Sequence, residues 1–309
     1  MTDRAPLNRP PKIVCAGGAV QDMIMRVGQF PRPGEKVQAS EFIITSGGQA
    51  GNAAVAMARL GAVVTYIGAL GDEQDDVANT IIKTFVQEKI DVSRALRVPG
   101  AKSSASLIMI DASGEKMIAT RRNQGLSEAA PNDPEGAVAG ADAAMLDNRY
   151  SNISLPICRA AKACGLPRVL DFDKPTPPDD PLFQNCSHVI CSADAIREAT
   201  GETELPAALK KLGVGFSGFL AVTNGPEGVY WLDNNAVRYM EAFKVEAVDT
   251  LGAGDTFHGA FAVRFVETHD VVESMRFAAA AAAIKCTRFG GLMGAATRAE
   301  VETFLKERS

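Results

Sequence analysis

Short apolar runs alternate along the chain with longer stretches whose apolar positions return every three to four residues. The first run, KIVCAGG at 12–18, is apolar on consecutive positions, as a strand is when both its faces are covered, and it ends in glycines. Residues 51–62 place Ala53, Val55, Ala56 and Leu60 at helical spacing and stop at Gly61, a residue type that commonly closes helices. The same alternation predicts strands at 63–71, 143–148, 168–173, 188–192 and 218–225, with helices at 75–89, 153–165 and 193–201. It is the signature of an α/β fold: a doubly wound, mostly parallel sheet flanked by helices.

Two segments break the pattern. Residues 22–48 and 103–122 alternate residue types around the turn signals RPG and DASG, which predicts antiparallel strands. They are expected to form a small sheet over the carboxyl ends of the main strands, where ligands of open α/β sheets bind. No repeat, low-complexity tract or long linker divides the chain, so one domain over 1–309 is expected, with a discontinuous lid at about 22–47 and 101–123.

Composition narrows the partners. The chain has 309 residues, 46% hydrophobic and 22% charged, with a formal net charge of -5, which argues against a nucleic-acid or membrane-surface role. The N-terminal stretch has no apolar core suited to a secretory signal, and FAAAAAAIK is too short and too weakly apolar to span a bilayer. Six cysteines, at 15, 158, 164, 186, 191 and 286, stand without a C-x-x-C pair or clustered histidines. Buried, reduced thiols of a cytoplasmic protein are expected.

Candidate chemistry concentrates in two glycine clusters. In DTLGAGDTFHGAF, at 249–261, Gly252, Ala253 and Gly254 present backbone N–H groups at the start of a helix, an arrangement that attracts anions. A carboxylate, Asp255, follows at once. In TSGGQAGNAAVAMARLG, Gly47 and Gly48 permit close backbone approach, while Asn52 offers an amide suited to a polyhydroxy compound. Neither cluster is G-x-G-x-x-G, and no G-x-x-x-x-G-K-[ST] occurs, which disfavours a dinucleotide dehydrogenase and a P-loop kinase.

Together these segments resemble the two signatures of the ribokinase-like, or PfkB-type, carbohydrate kinases. The likeness extends to Gly18 and Asp22 after the first strand, PGE at 33–35 and VTNGPEG at 222–228, and so covers essentially the whole chain. It implies ATP-dependent phosphorylation of a sugar hydroxyl. Asp255 would accept the proton of the attacking hydroxyl, while the N–H groups of Gly252, Ala253 and Gly254 stabilise charge on the transferred γ-phosphoryl. Asp22, Gly47, Gly48 and Asn52 would hold the sugar. Thr223, Gly225, Gly228 and Cys286 would wall the nucleotide, although a packed helix position is an equal reading of Cys286.

One departure concerns the metal. Many relatives carry Asn-x-x-Glu where this chain has Ser192 and Ala195, so Mg²⁺ is expected as the ATP counter-ion while its protein ligands stay unassigned, with Asp173 and Asp194 as guesses. The resemblance also leaves open a monovalent cation such as K⁺ near Asp249. Segments LDNRY and KCTRFGG are similar to the ketohexokinase and sulfofructose kinase branch, which phosphorylates the C1 hydroxyl of a ketose. In that reading Arg149, with Arg121 or Arg122, would meet a 6-phosphate or sulfonate, although Thr120 stands where the sulfonate site has asparagine. A ribokinase or nucleoside kinase of the same family is the alternative. A non-catalytic sugar or nucleotide sensor is the alternative class, and it would be free to lose the base that Asp255 supplies. A homodimer joined through the lids is expected.

Overall fold

An eight-stranded sheet carries the fold in this computed structural model, which describes residue 7 and residues 9–308. Its order is Ala236–Met240, Val229–Asp233, Phe219–Thr223, His188–Ser192, Arg168–Phe172, Ala143–Asp147, Lys12–Ala16 and Val63–Ile67. The six strands from Phe219–Thr223 to Val63–Ile67 pair in parallel. Their continuous apolar runs follow from burial on both sides. Ile13 and Cys15 join a core beneath the helices Gln49–Arg59, Ala253–Thr268 and Val271–Cys286, whereas Val14 and Ala16 join the core beneath Ser151–Ala163, Ala193–Thr200 and Leu205–Leu212. The doubly wound α/β expectation is met.

The sheet's far edge departs from the sequence reading. Val229–Asp233 and Ala236–Met240 form an antiparallel hairpin, joined by Asn234 and Asn235 at φ 47° and 66°, left-handed values that suit a tight two-residue turn. The cysteine expectation needs correction. Cys15, Cys158, Cys186 and Cys191 are buried and all six cysteines are unbridged, but Cys286 is only half-buried and Cys164 is exposed, because it caps the C-terminus of helix Ser151–Ala163 instead of facing the core.

The second sheet has the order Ala39–Gly47, Val20–Val27, Ala105–Ile110, Lys116–Arg121. Its two hairpins are antiparallel, and Val20–Val27 joins them by pairing in parallel with Ala105–Ile110. Register decides which residues share a face. One face carries the rows Ile44, Met23, Leu107, Ala119 and Phe42, Met25, Met109, Met117. Phe42, Ile44, Leu107 and Met117 are 54%, 52%, 40% and 49% exposed there. The other face carries a polar row, Thr45, Asp22, Ser106, Thr120, followed by an isoleucine row, Ile43, Ile24, Ile108, Ile118.

Candidate active site

Parallel strands deliver their carboxyl ends to one edge of the sheet, and two cavities open there. Gly18 follows Lys12–Ala16, Arg149 and Tyr150 follow Ala143–Asp147, and Asp173 follows Arg168–Phe172; all four line a cavity of about 590 Å³. Asp22, Gly48, Asn52 and Asp255 line it as well. The second sheet and the residues flanking its strands add Ser104, Ser106, Lys116, Thr120 and Arg122. The second cavity, about 430 Å³, is lined by Thr223, Gly225, Gly228, Ala253, Gly254 and Cys286 among others. The helix Ala253–Thr268 begins between the two: Ala253 and Gly254 border one cavity and Asp255 the other.

Local chemistry shapes that helix start. Gly252 caps it at φ 76°, a left-handed backbone that a side chain would strain, so the N–H groups of the first turn stay free of a side-chain cap. Asp255 sits in this first turn and accepts a 2.6 Å hydrogen bond from Asn52 Nδ2. Asn52 is buried in Gln49–Arg59, a helix that starts two residues after strand Ala39–Gly47 ends. It therefore begins earlier than the periodicity predicts, because Gly48, at φ 83°, turns the chain with no intervening loop. Gly47 must lack a side chain for another reason: a Cβ there would lie 1.8 Å from Asp22 Oδ2.

The carboxylates are crowded. Asp255 has its pKa raised to about 7, first by burial and then by the negative charge of Asp171; the Asn52 hydrogen bond pulls the other way. Asp22, 5% exposed, is also raised to about 7, by burial and by the charge of Asp255. Behind them Asp171 is buried with Oδ2 lacking a hydrogen-bond partner among the described residues. Its Oδ1 lies 3.6 Å from His258 Nε2, which also faces the Ile190 carbonyl at 3.0 Å, while Nδ1 faces the Gly254 carbonyl at 2.7 Å. Five further buried polar atoms, Thr45 Oγ1, Ser46 Oγ, Asn52 Oδ1, Ser104 Oγ and, away from this cavity's lining, Arg97 Nε, have no partner among the described residues. Asn52 and Ser104 line the first cavity, where water or a polar ligand would supply the missing partners.

Arg149 arrives already partnered. Its Nη2 pairs with Asp173 and its Nε donates to Gln49 Oε1 at 3.1 Å, while Gln49 Nε2 donates to Asp173 at 2.9 Å. The Asp147 carboxylate fixes the turn below by accepting from Gly18 N at 2.7 Å and from Arg149 N at 3.0 Å. Arg121 donates to the Ser103 carbonyl at 2.8 Å, and Arg122 reaches the cavity. The metal guesses do not gain support. Asp173 is held by Arg149 and Gln49, Asp194 is fully exposed beside Arg197, and Ser192 caps the helix Ala193–Thr200. Among the described residues no group of three or more His, Cys, Asp or Glu could hold a metal ion.

Sequence reasoning did not single out Asp171, His258, Gln49, Ser106 or Lys116. Ser106 left a signal, a hydroxyl inside the apolar strand ASLIMI, at a position that faces inward. Gln49 left none. No helix among the described residues is long and apolar enough to cross a membrane.

Comparison with known proteins shows the family. The pfkB family carbohydrate kinase profile matches residues 10–297. The Haemophilus influenzae ribokinase is 31% identical over 300 residues, covering 94% of this chain and 97% of its own. A solved Agrobacterium tumefaciens structure, described as a candidate ribokinase, is 34% identical with a TM-score of 0.92, covering 97% of this chain and 98% of its own. Arabidopsis thaliana ribokinase, complexed with ribose and ATP, is 25% identical with a TM-score of 0.81, covering 96% and 99%. These relatives carry the ribokinase name, not that of the ketohexokinase and sulfofructose kinase branch. The chain belongs to the pfkB family of carbohydrate kinases and is a phosphotransferase acting on a sugar.

Proposed function

We propose that the enzyme transfers the γ-phosphoryl group of ATP to a primary hydroxyl of a small neutral furanose, a ribose-type pentose ahead of a ketose. The observation that carries this is the helix start between the cavities, with backbone N–H groups on one side and the Asp255 carboxylate on the other. ATP would lie against Thr223, Gly225, Gly228 and Cys286, with its γ-phosphoryl at the N–H groups of Gly252, Ala253 and Gly254. Asp255 would take the proton of the attacking hydroxyl, and the N–H groups would stabilise the charge that develops on the phosphoryl oxygens. Asp22, Gly47, Gly48 and Asn52 would hold the sugar. Mg²⁺ would accompany ATP, bound mainly by phosphates and water.

The pentose reading draws on the ribokinase relatives and on Arg149. An arginine already paired with Asp173 has little charge to give a second anion. The ketose reading, with a 6-phosphate or sulfonate, draws instead on Lys116 and Arg122, which border the same cavity. A coupled ADP-release screen over ribose, deoxyribose, fructose, fructose 6-phosphate, sulfofructose and adenosine separates them. Highest kcat/KM for ribose or deoxyribose is expected, and preference for fructose 6-phosphate or sulfofructose would overturn the neutral-pentose reading.

The lids of two chains would pack together in a homodimer. Eight apolar side chains line the lid's outer face, and a contiguous apolar surface of this kind left in water marks an interaction site. A twofold pairing would bury the rows through Phe42 and Ile44 against their copies.

A further inference from the structure

Beneath the loop that leads to Gly252 lies a charge pair to which the phosphoryl-transfer reading gives no task. Lys285, at the end of helix Val271–Cys286, is 0% exposed. Its ammonium donates to the Asp249 backbone oxygen at 2.7 Å and stands 3.2 Å from Asp249 Oδ2. Asp249 is buried too, and its carboxylate is engaged on both oxygens. Oδ1 accepts from Leu251 N at 2.7 Å; Oδ2 accepts from Gly290 N at 3.0 Å and from Gly291 N at 2.9 Å.

These contacts reach two parts of the site, the loop before Gly252 and the second sheet. Leu251 adjoins Gly252, so the Asp249 carboxylate sets the course of the loop that presents the N–H groups. The Gly290–Gly291 turn abuts the lid, where a Cβ on Gly290 would meet Ile43 at 2.9 Å and one on Gly291 would meet Ile24 at 3.2 Å. A fully buried ammonium is costly unless a matched charge and hydrogen-bond acceptors surround it. The run it interrupts, AAAAAAIKC, is otherwise apolar, and an aliphatic residue would fill the place without that cost.

The monovalent cation that the family resemblance leaves open near Asp249 does not fit these residues. Its natural ligands here, the Asp249 oxygens, already face an ammonium and three N–H groups. We propose that the Lys285 ammonium serves as the enzyme's own monovalent cation, holding Asp249, and through it the loop to Gly254, in the shape that aims the N–H groups at the transferred phosphoryl. Turnover then needs no added K⁺. Lys285 touches no substrate and is a positioning residue. The inference rests on the kinase reading of the site.

The test uses the sugar that the wild-type enzyme phosphorylates fastest, with ATP and magnesium free of alkali cations and tetramethylammonium chloride holding ionic strength constant. Replacing tetramethylammonium by K⁺ or NH₄⁺ should leave wild-type turnover within about 1.5-fold. Lys285→Ala should lower kcat by roughly 10-fold or more with sugar KM within about threefold, the pattern of a lost transition-state contact. K⁺ or NH₄⁺, but not tetramethylammonium, should then restore activity to the variant. A K⁺ activation of the wild type beyond about threefold would overturn the proposal, as would a variant with unchanged kcat or a loss that neither ion repairs. The wild-type comparison decides even where Lys285→Ala does not fold. Absence of ADP release by the wild type with every sugar would instead refute the kinase reading itself.

Discussion

Gly47→Ala isolates one contact in the proposed sugar site. The new methyl would stand 1.8 Å from Asp22 Oδ2, 2.5 Å from its Cγ and 3.0 Å from Oδ1. Backbone φ at Gly47 is not left-handed, so the substitution brings little strain of its own, and the conflict falls on the carboxylate. That group must retreat by roughly 1.5 Å to regain ordinary contact, more than a 2.7–3.0 Å hydrogen bond tolerates. Losing a hydrogen bond from a sugar hydroxyl to a charged acceptor costs about 1.5–3 kcal/mol, so sugar KM should rise about 10- to 100-fold. ATP KM and the melting temperature should change little, because the second cavity lies on the other side of the helix start. Steady-state kinetics with each substrate varied in turn reads this out. Asp22→Ala should reproduce the sugar effect, and the double variant should add almost nothing to it. A sugar KM for Gly47→Ala within threefold of wild type would refute the assignment of Asp22 to the sugar.

Asp255→Asn should lower kcat by about 10²- to 10⁴-fold while both KM values hold, the usual contribution of a positioned general base; turnover within threefold at saturation would count against that role. With the Asp255 and Asp22 pKa values raised to about 7, kcat/KM for the sugar should fall as pH drops below about 7, and a flat profile from pH 5.5 to 8 would contradict the base. Stability has the opposite sign: a carboxylate raised on folding favours the protonated native state, an advantage complete near pH 4 and lost as pH rises through about 7. Asp255→Asn should therefore melt higher than wild type at pH 8, with the gap closing at pH 5, as scanning calorimetry would show. Arg149→Ala should weaken a neutral pentose less than a 6-phosphorylated ketose, for which a KM rise of roughly 10-fold marks a lost charge-assisted contact. Light scattering during gel filtration should give twice the chain mass of 32.6 kDa, and a fully active monomer on dilution would exclude the lid-to-lid dimer.

The main sheet could be read from the chain because burial on both faces writes an unbroken apolar run into each parallel strand, as in KIVCA and AAMLD. The glycine loops were legible for a similar reason, since backbone N–H groups at a helix start depend on local sequence. Pairings across long separations were not. Nothing in LDNRY announces that Arg149 will find Asp173, and nothing in the two hairpins announces that Val20–Val27 will pair in parallel with Ala105–Ile110. That register alone selects Ile44, Phe42, Leu107 and Met109 for one face and Asp22 with Ser106 for the other. Lys285 was equally hidden, because a lysine at the end of an alanine-rich helix ordinarily extends into water, and its burial depends on Asp249, 36 residues away.

Asp22 lies on the lid itself, in the middle of the sheet that covers the cavity, and the adjoining strand runs through the single residue Gly48 into the helix that carries Asn52. If Asp22 holds the sugar as proposed, recognition and enclosure would be one mechanical event. On the proposed reading, a water molecule would offer Asp22 no hydroxyl array to grip and would not draw the sheet down, so the strands that select the acceptor would also shield the γ-phosphoryl from hydrolysis. Altering that selectivity within the polar row of Thr45, Asp22, Ser106 and Thr120 would also change how much ATP is wasted in the absence of sugar. Substrate range and futile turnover would evolve together in this enzyme.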